Sequence, residues 1–379
     1  MHKKDKFIPF NKPPYTGVEE SYVLDAIRSN KLSGDGDYTK KCQHWFDFEL
    51  GSQTLMVSSC THALEVSALI IGVKPGDEVI MPSYTFVSTA NAFVMRGAKI
   101  IFVDIDPATL NLDIDQVEQA ITSRTKAIVA VHYAGISCDM DRLVLLALRH
   151  QIFLIEDAAQ AIFSTYKGKP LGTFGQIAAF SFHETKNVTS GGEGGLLIVN
   201  DPTLFQSAEI FREKGTNRNK FFRGEVDKYS WLDIGSSYLA SELQAAYLWG
   251  QLTCKNELYT ARLEAWNYYM DLLSKILPKE SLPYIPRSNS HNGHIFYIKA
   301  KNLDERSNLL YFLKENGVGA VFHYVPLHTS VAGKKYGRFH GVDQHTTLES
   351  ERVVRLPLFH GISKNEIKFV VDKIKQFYD

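Results

Sequence analysis

An α/β fold built on a mostly parallel sheet is predicted by three features of the sequence. Short apolar runs recur from residue 55 onward and read as strands buried on both faces. Helical periodicity fills the gaps between them, which implies parallel strands covered by helices on each side. The 379 residues, 44% hydrophobic and 22% charged, are long enough for a large core and a second, smaller domain.

The elements follow in order. The proline-rich stretch 7–14 is extended, and 17–29 reads as an amphipathic helix with Val18, Tyr22 and Ala26 on one face. After a loop at 31–37, a helix over 39–50 carries Cys42, Trp45 and Phe46 and ends at Gly51. Leu55-Met-Val57 is a strand, and Ser58-Ser-Cys-Thr61 caps a helix that runs to Ile71. Strands at 78–81, 99–103, 127–131 and 152–155 alternate with helices near 88–96, 113–122 and 139–150. Two more strands, 177–182 and 196–199, bracket a glycine-rich loop. A helix at 202–212 leads into a polar excursion over 213–235, and a loop of that length usually serves function or an interface. From Ser241 one long helical pattern runs past Tyr268, with Leu243, Ala246, Tyr247 and Gly250 at helical spacing. Residues 1–255 are therefore expected to form the large domain. Residues 256–379 supply a bridging helix and a small C-terminal α+β domain, with strands at 296–299 and 320–323 and helices at 306–315 and from Lys364.

Charge and cysteine content narrow the function classes. Lys+Arg and Asp+Glu both number 42, so no net field recruits nucleic acid or an anionic membrane. No run of 18 apolar residues exists, and Met-His-Lys-Lys-Asp-Lys is not followed by an apolar segment, so neither a membrane span nor a signal peptide is expected. Cys42, Cys60, Cys138 and Cys254 are far apart and form no metal-type pair. A cytoplasmic protein with reduced thiols and no bound metal is the expectation.

The chemistry concentrates where strands end. The run Ile177 to Phe182 delivers Lys186 into the loop that contains Gly191, Gly192, Gly194 and Gly195. In open α/β sheets the C-terminal strand edge is where ligands bind. Glycines there allow close backbone approach, although they serve a plain turn equally well. Because a strand and not a helix follows them, they do not make a dinucleotide fingerprint. Glu156-Asp-Ala-Ala-Gln160 stands just past another strand, and two carboxylates so placed need partners. A salt bridge or helix cap would serve, and so would a protonated ring nitrogen held by Asp157. Ser58-Ser-Cys-Thr61 opens a helix whose free N–H groups suit a phosphate, or simply caps it. Ser83-Tyr-Thr-Phe86 brings an aromatic ring to the same edge, or into the core. A lysine for a Schiff base, a carboxylate for a pyridinium, a helix N-terminus for a phosphate and a ring for stacking together describe pyridoxal phosphate. A desolvated lysine amine is nucleophilic and can shuttle a proton.

The motifs Pro82-Ser-Tyr-Thr-Phe-Val-Ser-Thr-Ala-Asn91, Glu156-Asp-Ala-Ala-Gln160, Phe180-Ser-Phe-His-Glu-Thr-Lys186 and Glu193-Gly-Gly195 resemble those of the sugar aminotransferases of the DegT/DnrJ/EryC1/StrS type. The likeness extends from Pro9 to Glu351-Arg-Val-Val-Arg-Leu-Pro-Leu-Phe359. It implies a fold-type-I pyridoxal phosphate transferase, most similar to enzymes that aminate dTDP-4-keto-6-deoxyglucose for enterobacterial common antigen or O-antigen. Carried over position by position, it makes Lys186 the Schiff-base lysine and Asp157 the partner of the pyridine nitrogen. Gln160 falls on the ring hydroxyl side and Phe86 on the ring face, while Ser181, Cys60 and Thr61 hold the phosphate. His183 is either a direct contact or a supporting histidine. Relatives also place an asparagine of the partner subunit on the phosphate. Here that region reads Gly235-Ser-Ser-Tyr-Leu239, and Ser237 is the expected substitute.

The resemblance further implies a homodimer with shared active sites, L-glutamate as donor and a nucleotide sugar as acceptor. It puts His323, Tyr324 and His328, in Val321-Phe-His-Tyr-Val-Pro-Leu-His328, near that sugar. The excursion, with Lys214, Arg218, Lys220, Arg223 and Lys228, would reach the neighbouring cofactor. Two rival readings are a pyridoxamine-dependent sugar dehydratase, in which a histidine replaces the lysine, and a catalytically silent binding homologue. Lys186 opposes the first, and the joint presence of lysine, acid and phosphate site opposes the second.

Overall fold

Helices α1 (Glu19–Arg28) and α2 (Asp37–Leu50) precede a series in which strand and helix alternate as the sequence predicts. The series runs β1 (Gln53–Val57), α3 (Cys60–Ile70), β2 (Glu78–Pro82), α4 (Val87–Val94), β3 (Lys99–Val103), α5 (Ile114–Ala120), β4 (Thr125–Val131), α6 (Met140–His150) and β5 (Phe153–Asp157). After β6 (Thr165–Tyr166) and β7 (Lys169–Pro170) come β8 (Ile177–Ser181) and β9 (Gly195–Val199), then α7 (Phe205–Arg212), α8 (Arg218–Phe222), α9 (Glu242–Thr253) and α10 (Lys255–Leu273). The remainder comprises β10 (Asn289–Ser290), β11 (Tyr297–Lys299), α11 (Leu303–Glu315), α12 (Val331–Tyr336), β12 (Gly337–Phe339), α13 (Thr346–Arg352), β13 (Val353–Arg355) and α14 (Lys364–Tyr378). This computed structural model describes residues 7–379; the basic opening at 1–6, part of the signal-peptide reading, lies outside the described residues.

The central sheet has eight strands in the order β1-β9-β8-β5-β4-β2-β3-β12, and β9 alone runs against the others. Side chains alternate across it with period two. Met56, Ile80, Ile128, Leu154 and Ile198 face α2, α5, α6 and α9. Leu55, Val79, Val129, Ile155 and Leu197 face α3, α4 and α7. Burial on both faces is why these strands read as unbroken apolar runs. A separate core unites Trp266, Tyr269, Phe296, Leu309, Leu313, Val354 and Val370 from α10, α11, α14 and the β11–β13 pair. No described helix is long and apolar enough to cross a membrane.

Four local expectations change. The long helical pattern from Ser241 breaks at Cys254 (φ −103°, ψ 18°), because α9 packs Ala245, Ala246 and Leu248 on the sheet while α10 turns Ala265, Trp266 and Tyr269 into the second core. The strand expected at 320–323 is absent: Val321 makes one isolated bridge to Arg355, and β13 takes the place beside β11. The excursion after Glu213 is folded, containing α8 and backbone bridges from Glu213 to Ser237 and from Thr216 to Trp231. Finally, β12, which the sequence does not signal, joins the large sheet parallel to β3.

Candidate active site

Strands β1, β2, β4, β5 and β8 end on one side of the sheet, and β9, running oppositely, begins there. A cavity of about 700 Å³ lies along this edge, closed by Val321, Phe322, His323 and Tyr324 and by Arg355, Leu356 and Leu358. Its size suits a small ligand.

Lys186 lies in the loop between β8 and β9. The loop folds back on itself through Phe182 N to Gly194 O (2.8 Å), Glu184 N to Gly192 O (2.8 Å) and Lys186 N to His183 O (2.9 Å). The half-buried Nζ has no hydrogen bond or ion pair among the described residues, and it lines the cavity. Burial lowers its proton affinity, while Cys60 and Asp157 work the other way and Arg355 adds to the lowering. An unpaired amine so placed can act as a nucleophile and proton carrier.

The two carboxylates at the end of β5 point to opposite faces, as alternation requires. Glu156 is fully buried and accepts from the amides of Gly172 (2.8 Å), Phe174 (2.7 Å) and Gly175 (2.8 Å), with His132 Nε2 at 2.9 Å. Burial alone would raise its pKa, but His132 and these donors hold it below the usual carboxylate range. It is a structural anchor. Asp157 instead faces the cavity, accepting from Thr89 Oγ1 (2.7 Å) and Ala159 N (3.2 Å). No cation of the chain forms an ion pair with it among the described residues, so its charge is available to a cationic ligand atom.

The N-terminus of α3 opens on the same cavity. Ser59 Oγ caps it by accepting from His62 N (3.2 Å), which leaves the amides of Cys60 and Thr61 without an acceptor among the described residues. Thr61 Oγ1 pairs with Ser88 Oγ at 2.8 Å, and Ser181 Oγ accepts from His183 N at 3.3 Å. Two free amides, three hydroxyls and a positive helix end fit a phosphate. The Cys60 thiol is pushed up by burial and stays neutral. Gly195 makes this cradle possible, since a Cβ there would overlap the backbone of Ser59 and Cys60. Gly191, by contrast, is needed for its positive φ of 84°. The residues present therefore fit pyridoxal phosphate.

Phe86, at the start of α4, and Gln160 both line the cavity. Gln160 Oε1 accepts from Ala134 N (2.6 Å), and its Nε2 donates to Tyr324 Oη (2.9 Å). Tyr133 Oη lies 2.7 Å from His323 Nδ1, and His323 stacks on Tyr324 with ring centroids 3.7 Å apart. Burial holds His323 neutral, with Arg355 and Lys186 contributing, and raises the Tyr133 phenol to about 12. His183 sits at the rim, with Nδ1 engaged by Thr185 and Nε2 3.7 Å from Glu193.

Two expected site residues lie elsewhere. His328 does not line the cavity: Nδ1 is 2.7 Å from Ser83 Oγ and Nε2 is 3.2 Å from Asp343, so both nitrogens tie the segment leading to β12 onto the end of β2. In this chain it serves as a tether. Ser237 is exposed and does not line this cavity of its own chain. Within the excursion, Lys214 and Arg218 pair with Glu213, and Arg223 pairs with Glu209 and Glu225, which leaves fewer free cations than the sequence suggests. The sequence reading also missed residues the fold brings in: Thr89, Ser88, His294, Arg262 and Arg355 line the cavity, and Tyr133 stands behind it, bonded to His323. Thr89 and Arg355 stand inside motifs already singled out, whereas His294 and Arg262 carry no local signal.

Known proteins resemble this chain over nearly its whole length. Residues 16–375 match the profile of the DegT/DnrJ/EryC1/StrS aminotransferase family. GDP-perosamine synthase of Escherichia coli O157:H7 is 33% identical over 380 residues, covering 98% of this chain and 99% of its own. The UDP-4-amino-4-deoxy-L-arabinose–oxoglutarate aminotransferase of Shewanella sediminis is 32% identical over 384 residues, covering 98% of both chains. The proposed sugar aminotransferase Spr1654 of Streptococcus pneumoniae, solved in its PLP form, superposes with a TM-score of 0.87 at 26% identity over 98% of both chains.

Proposed function

This chain belongs to the DegT/DnrJ/EryC1/StrS aminotransferase family and is a pyridoxal phosphate-dependent sugar aminotransferase; on that premise we propose that it moves the amino group of L-glutamate to C4 of dTDP-4-keto-6-deoxy-D-glucose. The product is a dTDP-4-amino-4,6-dideoxyhexose, the glucose or galactose epimer, for a surface polysaccharide such as O-antigen or enterobacterial common antigen. The observation that carries the reading is the convergence of Lys186, Asp157 and the α3 N-terminus on one cavity. When bound, pyridoxal phosphate supplies an electron sink and a carrier for the amino group.

The chain's own residues do the rest. The amides of Cys60 and Thr61, with Ser181 and Ser88, would hold the phosphate. Asp157, fixed by Thr89, would keep the ring nitrogen positively charged. Phe86 would pack against the ring, and Gln160 would serve its hydroxyl side. Lys186 Nζ, unpaired at the cavity wall, would carry the proton. Tyr324, His323 and the rim residue His183 would orient the sugar. We place the boundary between the large domain and the bridging helix with its small domain at 255/256, and the enzyme in the cytoplasm.

Amination at C4 and the glutamate–oxoglutarate couple are supported by the 4-amino sugar and oxoglutarate named in the Shewanella relative. Relatives named for GDP and UDP sugars show that the carrier varies across the family, so selectivity should rest mainly on the sugar. A site shaped for a C4 carbonyl and a bare C6 methyl leaves polar groups unpaired against other sugars. The test is product NMR with glutamate and the 4-keto-6-deoxy sugar on dTDP and UDP, its 3-keto isomer, and small keto acids. The dTDP-linked 4-keto sugar should be aminated fastest, the UDP analogue more slowly. Preference for the 3-keto isomer would overturn the regiochemistry, and equal rates on small keto acids would overturn the nucleotide-sugar assignment.

We also propose a homodimer in which the folded excursion, through Ser237, reaches the partner's phosphate site. Phe222, Tyr229, Trp231, Leu232 and Ile234 are exposed along it, an apolar face of the kind that marks an interface. Mixing a Lys186→Ala subunit with a subunit altered at Ser237 should regenerate some activity through heterodimers. Absence of rescue, once subunit exchange is verified, would mean that each chain builds its own site.

A further inference from the structure

The cavity contains a positive charge that the cofactor does not account for. Its lining cations are Lys186, Arg262 and Arg355, and its lining carboxylates are Asp157 and Glu193. Several arginines hold carboxylates, among them Arg212 with Asp35, Arg352 with Glu349 and Arg124 with Glu78. Arg355 pairs with none among the described residues. Its Nε and Nη2 donate to one neutral acceptor, Phe322 O, at 3.3 and 3.1 Å, and the Phe10 ring lies 4.7 Å from its guanidinium carbon. The backbone of Arg355 is fixed to Val321 in both directions, with N to O distances of 2.8 and 3.1 Å. The guanidinium is thus positioned, partly stripped of water and left without a counter-charge among the described residues.

Arg262 repeats the pattern behind the same wall. It is buried, with Nε and Nη2 donating to the carbonyls of Gly293, His294 and Leu358, and its Nη1 has no partner among the described residues. Burial lowers its pKa only to about 10, so it too is charged at neutral pH. Neutral carbonyls orient a guanidinium but do not offset its charge, so a site of this kind awaits an anion.

We propose that Arg355, backed by the charge of Arg262, is the carboxylate anchor for the amino donor, a dicarboxylic amino acid. This rests on the transaminase reading above and deepens it. A planar guanidinium fork matches a planar carboxylate in two parallel hydrogen bonds. Position selects the donor over the nucleotide. Arg355 shares the cavity with the reactive amine and stands close enough for its charge to bear on Lys186. The donor carries its α-carboxylate on the very carbon that bears the amino group. In a nucleotide-linked 4-keto sugar the whole ring separates the reacting carbon from the diphosphate.

The test uses the holoenzyme as wild type, Arg355→Gln and Arg355→Lys. Glutarate, an unreactive dicarboxylate, and glutamate are titrated against the cofactor's visible absorbance, and KM for the nucleotide sugar is measured in parallel. Arg355→Gln should weaken glutarate binding and raise the glutamate KM by about 10- to 100-fold, the range for one charge-assisted hydrogen-bonded pair. The nucleotide-sugar KM should stay within about threefold, and Arg355→Lys should restore part of the loss. An intact cofactor band in each variant shows that the fold is kept. Unchanged glutarate binding in Arg355→Gln, or a loss confined to the nucleotide sugar, would overturn the assignment. Should wild type aminate no nucleotide sugar while Arg355→Gln still loses glutarate, the anchor stands and the substrate reading falls.

Discussion

Replacing Lys186 by Ala is expected to lower turnover by at least about a thousandfold, because one side chain supplies both the nucleophile and the proton carrier, and positioned acid–base catalysis alone contributes about 10²–10⁴. The fold should not suffer. Nζ makes no hydrogen bond or ion pair among the described residues, so its removal leaves no orphaned partner. The cofactor should still bind through the amides of Cys60 and Thr61 and the hydroxyls of Ser181 and Ser88. Turnover with glutamate and the 4-keto sugar checks the first part, and a thermal melt beside wild type checks the second. A variant that kept a rate within about tenfold of wild type would remove Lys186 from the chemistry.

Asp157→Asn carries the next largest effect. The substitution keeps the shape, and Oδ1 of the amide can still accept from Thr89 or Ala159, so folding should be unchanged. What goes is the negative charge at the cavity end of β5. A hydrogen bond to a charged group contributes about 1.5–3 kcal/mol, so the expected fall in kcat is about 10- to 100-fold, in the glutamate and sugar half-reactions alike. Glu156→Gln serves as the contrast. That carboxylate accepts three amides and faces His132 on the other side of the sheet, so its loss should lower the melting temperature more than the rate constants. Equal rates in Asp157→Asn and wild type would exclude the charge from the mechanism.

The large sheet was legible because its strands are buried on both faces, leaving apolar runs such as Lys99–Val103 and Ile177–Ser181 that local pattern alone identifies. The residues at the ends of those strands were legible for the same reason: Asp157, Ser181 and the α3 cap follow directly from where a run stops. The second wall was harder to read. Residues 320–323 have a strand's composition, yet only Val321 pairs, because β13 already occupies the edge of β11 and the chain instead turns His323 and Tyr324 into the cavity. His328 carried a polar signal that the fold spends on Ser83 and Asp343. Arg262 and His294 come together from α10 and a later loop, a juxtaposition set by the second core and invisible to any local window. The break at Cys254 has the same origin, since two cores demand two helix faces from one periodic stretch.

The central claim is that Lys186, delivered by β8 to the sheet edge opposite Asp157 and the α3 N-terminus, is the residue that bonds pyridoxal phosphate. Borohydride reduction of the purified holoenzyme, followed by peptide mapping, tests it directly. The account predicts loss of the visible absorbance band and a single modified peptide carrying the cofactor's mass at Lys186. A modified peptide containing any other lysine, or no covalent label despite a bound cofactor, would contradict it.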